Sequence, residues 1–154
     1  MKKDWKSLFA AEKVSVDTNI LVYAVADEGG PKRKVANDLL EWMSSANALI
    51  ALQTLGEFYA VSTRKYNLAP SLARELVVAW QTLFPTIAAS SSAVLAGIDA
   101  SINHRLSFWD ALLLVTLKAT QVTVFFSEDL QHGQVIDGVK IINPFAELQE
   151  GNLT

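Results

Sequence analysis

The chain has 154 residues, 51% of them hydrophobic, and a formal net charge of −3. That length and apolar content fit one domain around a single packed core. The charge argues against gripping nucleic acid by bulk electrostatics, and the lack of any cysteine excludes a disulfide scaffold, a thiolate zinc site and a cysteine nucleophile.

The opening residues Met1 to Lys13 hold only a four-residue apolar stretch, too short for a signal-peptide core. No apolar run approaches the ~20 residues needed to span a bilayer. The expectation is a protein of the cytoplasm with no membrane contact. Residues 1–12 read as a loosely attached N-terminal extension and 13–147 as the single domain.

From there strand-like and helix-like segments alternate, the pattern of an α/β fold with a central parallel sheet flanked by helices. Val14 to Val16 begins a short buried strand. Thr18 or Asn19 is placed to cap the following apolar helix, Ile20 to Val25. Glu28-Gly29-Gly30-Pro31 marks a turn, and Pro31 suits the first turn of a helix reaching about Ser45. Ala48 to Leu52 reads as a second strand. A helix follows from Thr54, with Leu55, Phe58, Tyr59 and Val61 at helical spacing. Asn67 to Ser71 is a break, and the next helix stops before Pro85. Thr86 to Ala88 is a short third strand, with helices over Ser90 to His104 and Ser107 to Ala119. Val122 to Phe126, β-branched and aromatic, is the clearest strand, and Val139 to Ile142 is the last.

Four acids stand out against this frame: Asp17, Glu57, Asp110 and Asp129. Asp17 and Asp129 directly follow strand patterns, which carries them to the carboxyl edge where open parallel sheets bind ligands. Glu57 lies near the start of a helix that follows a strand. Asp110 falls in the first turn of a helix, a favourable place for an anion. Each alone has a plain structural reading, as a strand-end cap, a first-turn acid or a turn residue. Together, four carboxylates beside so much apolar sequence call for something positive, and few Lys or Arg stand near them in sequence. A hard divalent cation takes carboxylate oxygens.

At these residues the chain resembles the PIN-domain family, and within it the VapC-like toxin nucleases. Val16-Asp17-Thr18-Asn19-Ile20-Leu21-Val22-Tyr23 is similar to the family's opening signature. Ser107-Phe108-Trp109-Asp110-Ala111 resembles its third acidic motif, and Ser127-Glu128-Asp129-Leu130-Gln131-His132-Gly133 its fourth. The closing Ile142-Asn143-Pro144-Phe145 also fits. The resemblance runs from about Val14 to Phe145 and implies a single PIN-like domain.

The resemblance further implies a ribonuclease dependent on Mg²⁺ or Mn²⁺ that leaves a 5′-phosphate and a 3′-hydroxyl. Asp17, Glu57, Asp110 and Asp129 match the four catalytic acids, with Asp17, Asp110 and Asp129 as metal ligands. Glu128 rivals Asp129 by adjacency, but the family pattern favours the aspartate. Thr18, Asn19 and Ser127 are the polar neighbours that orient carboxylates or water. The implied partners are an RNA substrate, a cognate antitoxin protein of a type II toxin–antitoxin pair, and a second copy in a homodimer.

Other residues weigh less. His104 and His132 read as surface or turn histidines. Of the basic residues, Arg64, Lys65 and Arg105 are the better candidates for phosphate contact, while Lys32, Arg33 and Lys34 suit a solvated helix face. Trp42, Trp80 and Trp109 look like core or interface residues by spacing. A haloacid-type phosphatase needs a second Asp two residues after the nucleophile, and Asp17-Thr18-Asn19 lacks it. A receiver domain needs an acidic pair on another strand end, which is missing. An RNA-processing nuclease outside a toxin–antitoxin pair, and a non-catalytic RNA- or protein-binding module, are the remaining alternatives.

Overall fold

Strand β1 (Val14–Val16) pairs in parallel with β4 (Val124–Phe126), Val14 opposite Val124 and Val16 opposite Phe126. The structure, a computed structural model, describes residues 4–146. Strand β6 (Val139–Ile142) lies parallel on the other side of β4, and β5 (Val135–Ile136) pairs antiparallel with β6, giving the order β1-β4-β6-β5. Strands β2 (Ile50–Ala51) and β3 (Thr86–Ile87) form a second parallel pair. A parallel bridge from Val14 to Ala48 joins that pair to the edge of β1.

Both faces of the sheet are covered, and the strand residues divide between them with a period of two. Val14, Val16, Val124, Phe126 and Ile142 face one apolar cluster. Helices α2 (Thr18–Val25), α3 (Pro31–Met43), α4 (Leu52–Lys65) and α5 (Pro70–Leu83) complete that cluster. Phe125, Val139 and Ile141 face the other, with Leu113, Leu114 and Leu117 of helix α7 (Phe108–Ala119). Among the described residues no helix is long and apolar enough to cross a membrane.

Three local outcomes differ from the sequence reading. Helix α4 opens at Leu52 rather than Thr54, so the second strand keeps only two residues. Strand β5 went unpredicted: Asp137 and Gly138, both at positive φ (49° and 84°), turn it back on β6 as a tight hairpin. The expected loose extension contains helix α1 (Trp5–Phe9), and Trp5 is buried against the core. Trp5 and Phe9 both meet the Phe126 ring edge-on, at 5.5 and 5.6 Å. Apolar aromatic area near a chain end docks when a complementary ring is available.

Helix α6 (Ser91–His104) packs tightly on α7 at Gly97. A β-carbon there would stand 3.1 Å from the Leu112 Cα and 3.3 Å from its backbone nitrogen. Backbone cannot yield as a side-chain tip can. Gly97→Ala is therefore expected to lower stability by about 1 kcal/mol, overpacking outweighing the alanine helix preference. Urea unfolding reads this directly, and a stabilised variant would show that the helices separate freely.

Candidate active site at the carboxyl edge of the sheet

Asp17 directly follows β1 and is the N-cap of α2, a role the sequence reading gave to Thr18 or Asn19. Its Oδ1 accepts from the Thr18 backbone N–H at 2.8 Å, and its Oδ2 accepts from the Ser127 hydroxyl at 2.8 Å. The residue is only 7% exposed. Burial is the main force that pushes its pKa up from 3.8 to about 6; the Ser127 and Thr18 bonds oppose it, and the charges of Asp129 and Asp110 add to it. Ser127 links Asp17 to the turn that bears Asp129, because its hydroxyl contacts both.

Two of the remaining acids, Asp129 and Glu57, are held by neutral polar side chains. Asn19 donates to Asp129 Oδ2 at 3.1 Å and accepts from the Glu128 backbone N–H at 3.3 Å. Ser127, fully buried, accepts from the Asp129 backbone N–H at 3.2 Å while donating to Asp17. Thr18 donates to Glu57 Oε2 at 3.0 Å. All three polar neighbours expected from the sequence thus touch an acid.

One connector was missed. Gln53, in the first turn of α4, donates to Glu57 Oε1 at 3.0 Å and to the Trp109 carbonyl at 3.1 Å. It ties Glu57 to the first turn of α7, where Asp110 sits. Ser107 caps that helix, accepting from the Asp110 N–H at 3.1 Å. The Ser107-x-x-Asp110 spacing is that of a capping box. The return bond from the carboxylate is not made, and the Asp110 carboxylate accepts no hydrogen bond among the described residues.

Glu128 faces elsewhere. Tyr23 donates to its Oε1 at 2.7 Å, and Lys32 Nζ stands 2.6 Å from its Oε2, a charge contact rather than a well-angled hydrogen bond. Burial and the Glu128 bond and charge raise the Tyr23 pKa. Burial pulls the Lys32 pKa down, but Glu128 and Tyr23 outweigh it and leave it raised. Glu128 thus secures the turn bearing Asp129 from its far side.

The basic residues separate cleanly. Lys32, Arg33 and Lys34 each pair with an acid: Glu128, Asp27 and Asp38. Arg64 and Lys65 end α4, two turns beyond Glu57, and Lys65 lies 5.7 Å over the Tyr66 ring. Arg105 turns the chain between α6 and α7 in a left-handed conformation. None of these three forms an ion pair among the described residues. His104 contacts Asp137 at 3.2 Å, and His132 Nδ1 accepts from the Asn143 N–H at 2.9 Å, so both have structural partners. Of the three tryptophans read as core or interface residues, Trp80 is buried and Trp42 partly so, whereas Trp109 is 62% exposed and so lies outside the core.

The donor set suits a hard cation. Asp17 is a buried carboxylate whose hydrogen-bond partners are neutral, with further acids around it. Among the described residues no three acids are grouped closely enough to close around one ion. Mg²⁺ does not need such a cage, because it keeps several waters and takes only one or two carboxylates.

The family model of the PIN domain matches residues 14–136. The chain belongs to the PIN-domain family. Its α/β architecture, with a mostly parallel sheet flanked by helices, is shared with solved PIN structures. A toxin–antitoxin complex from Klebsiella pneumoniae has a chain 22% identical, with a TM-score of 0.64, covering 85% of this chain and 97% of that one. The DNA-bound VapBC of Salmonella typhimurium has one 15% identical, with a TM-score of 0.65, covering 86% and 98%. VapC20 of Mycobacterium tuberculosis, a sarcin-ricin loop cleaving toxin, is 16% identical, with a TM-score of 0.58, covering 73% and 86%. No curated protein matches the chain in sequence. The PIN match begins at Val14 and leaves α1 outside it.

Proposed function

We infer that the protein is a Mg²⁺- or Mn²⁺-dependent endoribonuclease, the toxin of a type II toxin–antitoxin pair. The observation that carries this is the buried Asp17 carboxylate, held only by neutral donors and surrounded by the charges of Asp110 and Asp129. PIN membership and the toxin–antitoxin neighbours support the reading.

Asp17 with one of Asp110 and Asp129 would hold the ion directly, and the other would reach it through a bound water. The ion, when bound, supplies a Lewis acid that acidifies water and offsets charge on the phosphate. Ser127 and the Thr18 N–H each occupy one Asp17 oxygen and fix the carboxylate plane. Thr18 and Gln53 hold Glu57 by both oxygens, an arrangement suited to orienting an attacking water. Asn19 holds Asp129. Arg64, Lys65 and Arg105 supply positive charge for the RNA backbone. The partners in this reading are RNA, a small antitoxin covering the acids, and a second copy of the chain, all in the cytoplasm.

The test is cleavage of total cellular RNA with Mg²⁺, with Mn²⁺ and with EDTA, and mapping of the ends. Discrete cuts with 5′-phosphates that vanish in EDTA are expected. Cleavage indifferent to EDTA would sink the metal reading. Growth arrest on expression, relieved by the neighbouring small gene, tests the toxin assignment.

A further inference from the structure

Trp109 is a large aromatic left 62% exposed beside the acids. Its helical neighbours on the same face, Leu113 and Thr116, are buried at 3% and 5%. The face is therefore packed along its length and runs past its cover only at the first turn. Helical side chains lean towards the N-terminus, so the indole leans outward over the edge that carries Asp110. The Phe108 ring packs edge-on against it at 5.1 Å. Gln53 grips the Trp109 backbone carbonyl with the same nitrogen that holds Glu57, which fixes the first turn of α7, and so the base of the indole, relative to that acid.

Resting on the ribonuclease reading above, we propose that Trp109 is a stacking platform for a nucleobase flanking the scissile phosphate, with Gln53 as its positioning residue. A strand that brings a phosphate to Asp110 passes the next side chain along, which is this indole. The charge of the chain points the same way. At −3 the protein gains little from bulk attraction to phosphates beyond what Arg64, Lys65 and Arg105 supply, which gives contacts to the bases more weight. Stacking tolerates any sequence, because every base has a π face.

The test uses the full chain carrying Glu57→Gln, which stops cleavage at the water-orienting group and keeps the carboxylates assigned to the ion, with Mg²⁺ present. Its binding to a short single-stranded RNA of randomised sequence is compared with an abasic strand of equal length. The base-bearing strand is expected to bind about tenfold more tightly. Adding Trp109→Phe should keep most of that preference. Trp109→Leu, which keeps apolar bulk without a π face, should abolish it. A preference unchanged in Trp109→Leu overturns the proposal and leaves the ribonuclease reading standing. Failure of the parent to bind either strand overturns both. If Trp109→Leu loses the preference only along with a change of oligomeric state, by light scattering, the indole belongs to a protein interface and the proposal falls.

Discussion

Asp17→Asn, in EDTA at pH 7.5, is expected to melt higher than the wild type while cutting no RNA. The fold raises the Asp17 pKa from 3.8 to about 6, so the folded state prefers the protonated carboxyl. Well below pH 3.8 the group is protonated in both states and costs nothing. As the pH rises to about 6 the unfolded chain gives up this proton and the folded one retains it, so stability falls. Above pH 6 the loss is complete, about 3 kcal/mol at one pKa unit per 1.36 kcal/mol. Asparagine keeps the shape without the charge. Its amide can donate to Ser127 Oγ while its oxygen still accepts from the Thr18 N–H. The gain should therefore appear above pH 6 and vanish well below pH 3.8, a difference of several degrees in Tm. Mg²⁺ should raise the wild-type Tm more than that of the variant, since only the wild type has the buried Asp17 charge to neutralise. Equal melting at pH 7.5 would mean that Asp17 is better solvated than its burial implies.

Ser127→Ala should disable the site in a different way. The Ser127 hydroxyl donates to the ionised form of Asp17 and receives the Asp129 N–H. Its loss removes an interaction that holds the Asp17 pKa down and leaves one N–H of the Asp129 turn without its partner. The acid limb of the pH–rate profile should move to higher pH, with Mn²⁺ affinity down about 10- to 100-fold. A lowered rate with an unmoved limb would show that Ser127 supports the turn alone.

The residues whose role is local were the legible ones. Asp17 announces itself by closing an apolar strand, and Asp110 by its place in the first turn of an apolar helix. Each signal lies within a few positions of its residue. Asn19, Thr18 and Ser127 were reachable because they border those motifs. Gln53 was not, because a glutamine in a first turn looks like any solvated helix residue until Trp109, 56 positions on, is beside it. Adjacency could not separate Glu128 from Asp129 by spacing, and in space it is Lys32 and Tyr23 that claim Glu128. Trp5 was misread because an end segment shows no periodicity, and only the Phe126 ring gives it a place. The two-residue strand β5 is too short for any alternation to register, whereas β2 was read within Ala48 to Leu52 and only its length was overstated.

The bond from Ser127 to Asp17 joins positions 110 apart in the chain, as does the one from Asn19 to Asp129. Strand β1 likewise waits for β4 and β4 for β6. A chain still on the ribosome therefore carries Asp17 for most of its synthesis with nothing opposite it. The acidic site comes together only as the later strands are delivered, since low-order contacts alone cannot build it. A chain truncated ahead of Phe126 has Asp17 but neither the Ser127 that holds it nor Asp129. Completion of the site is thereby coupled to completion of the sheet.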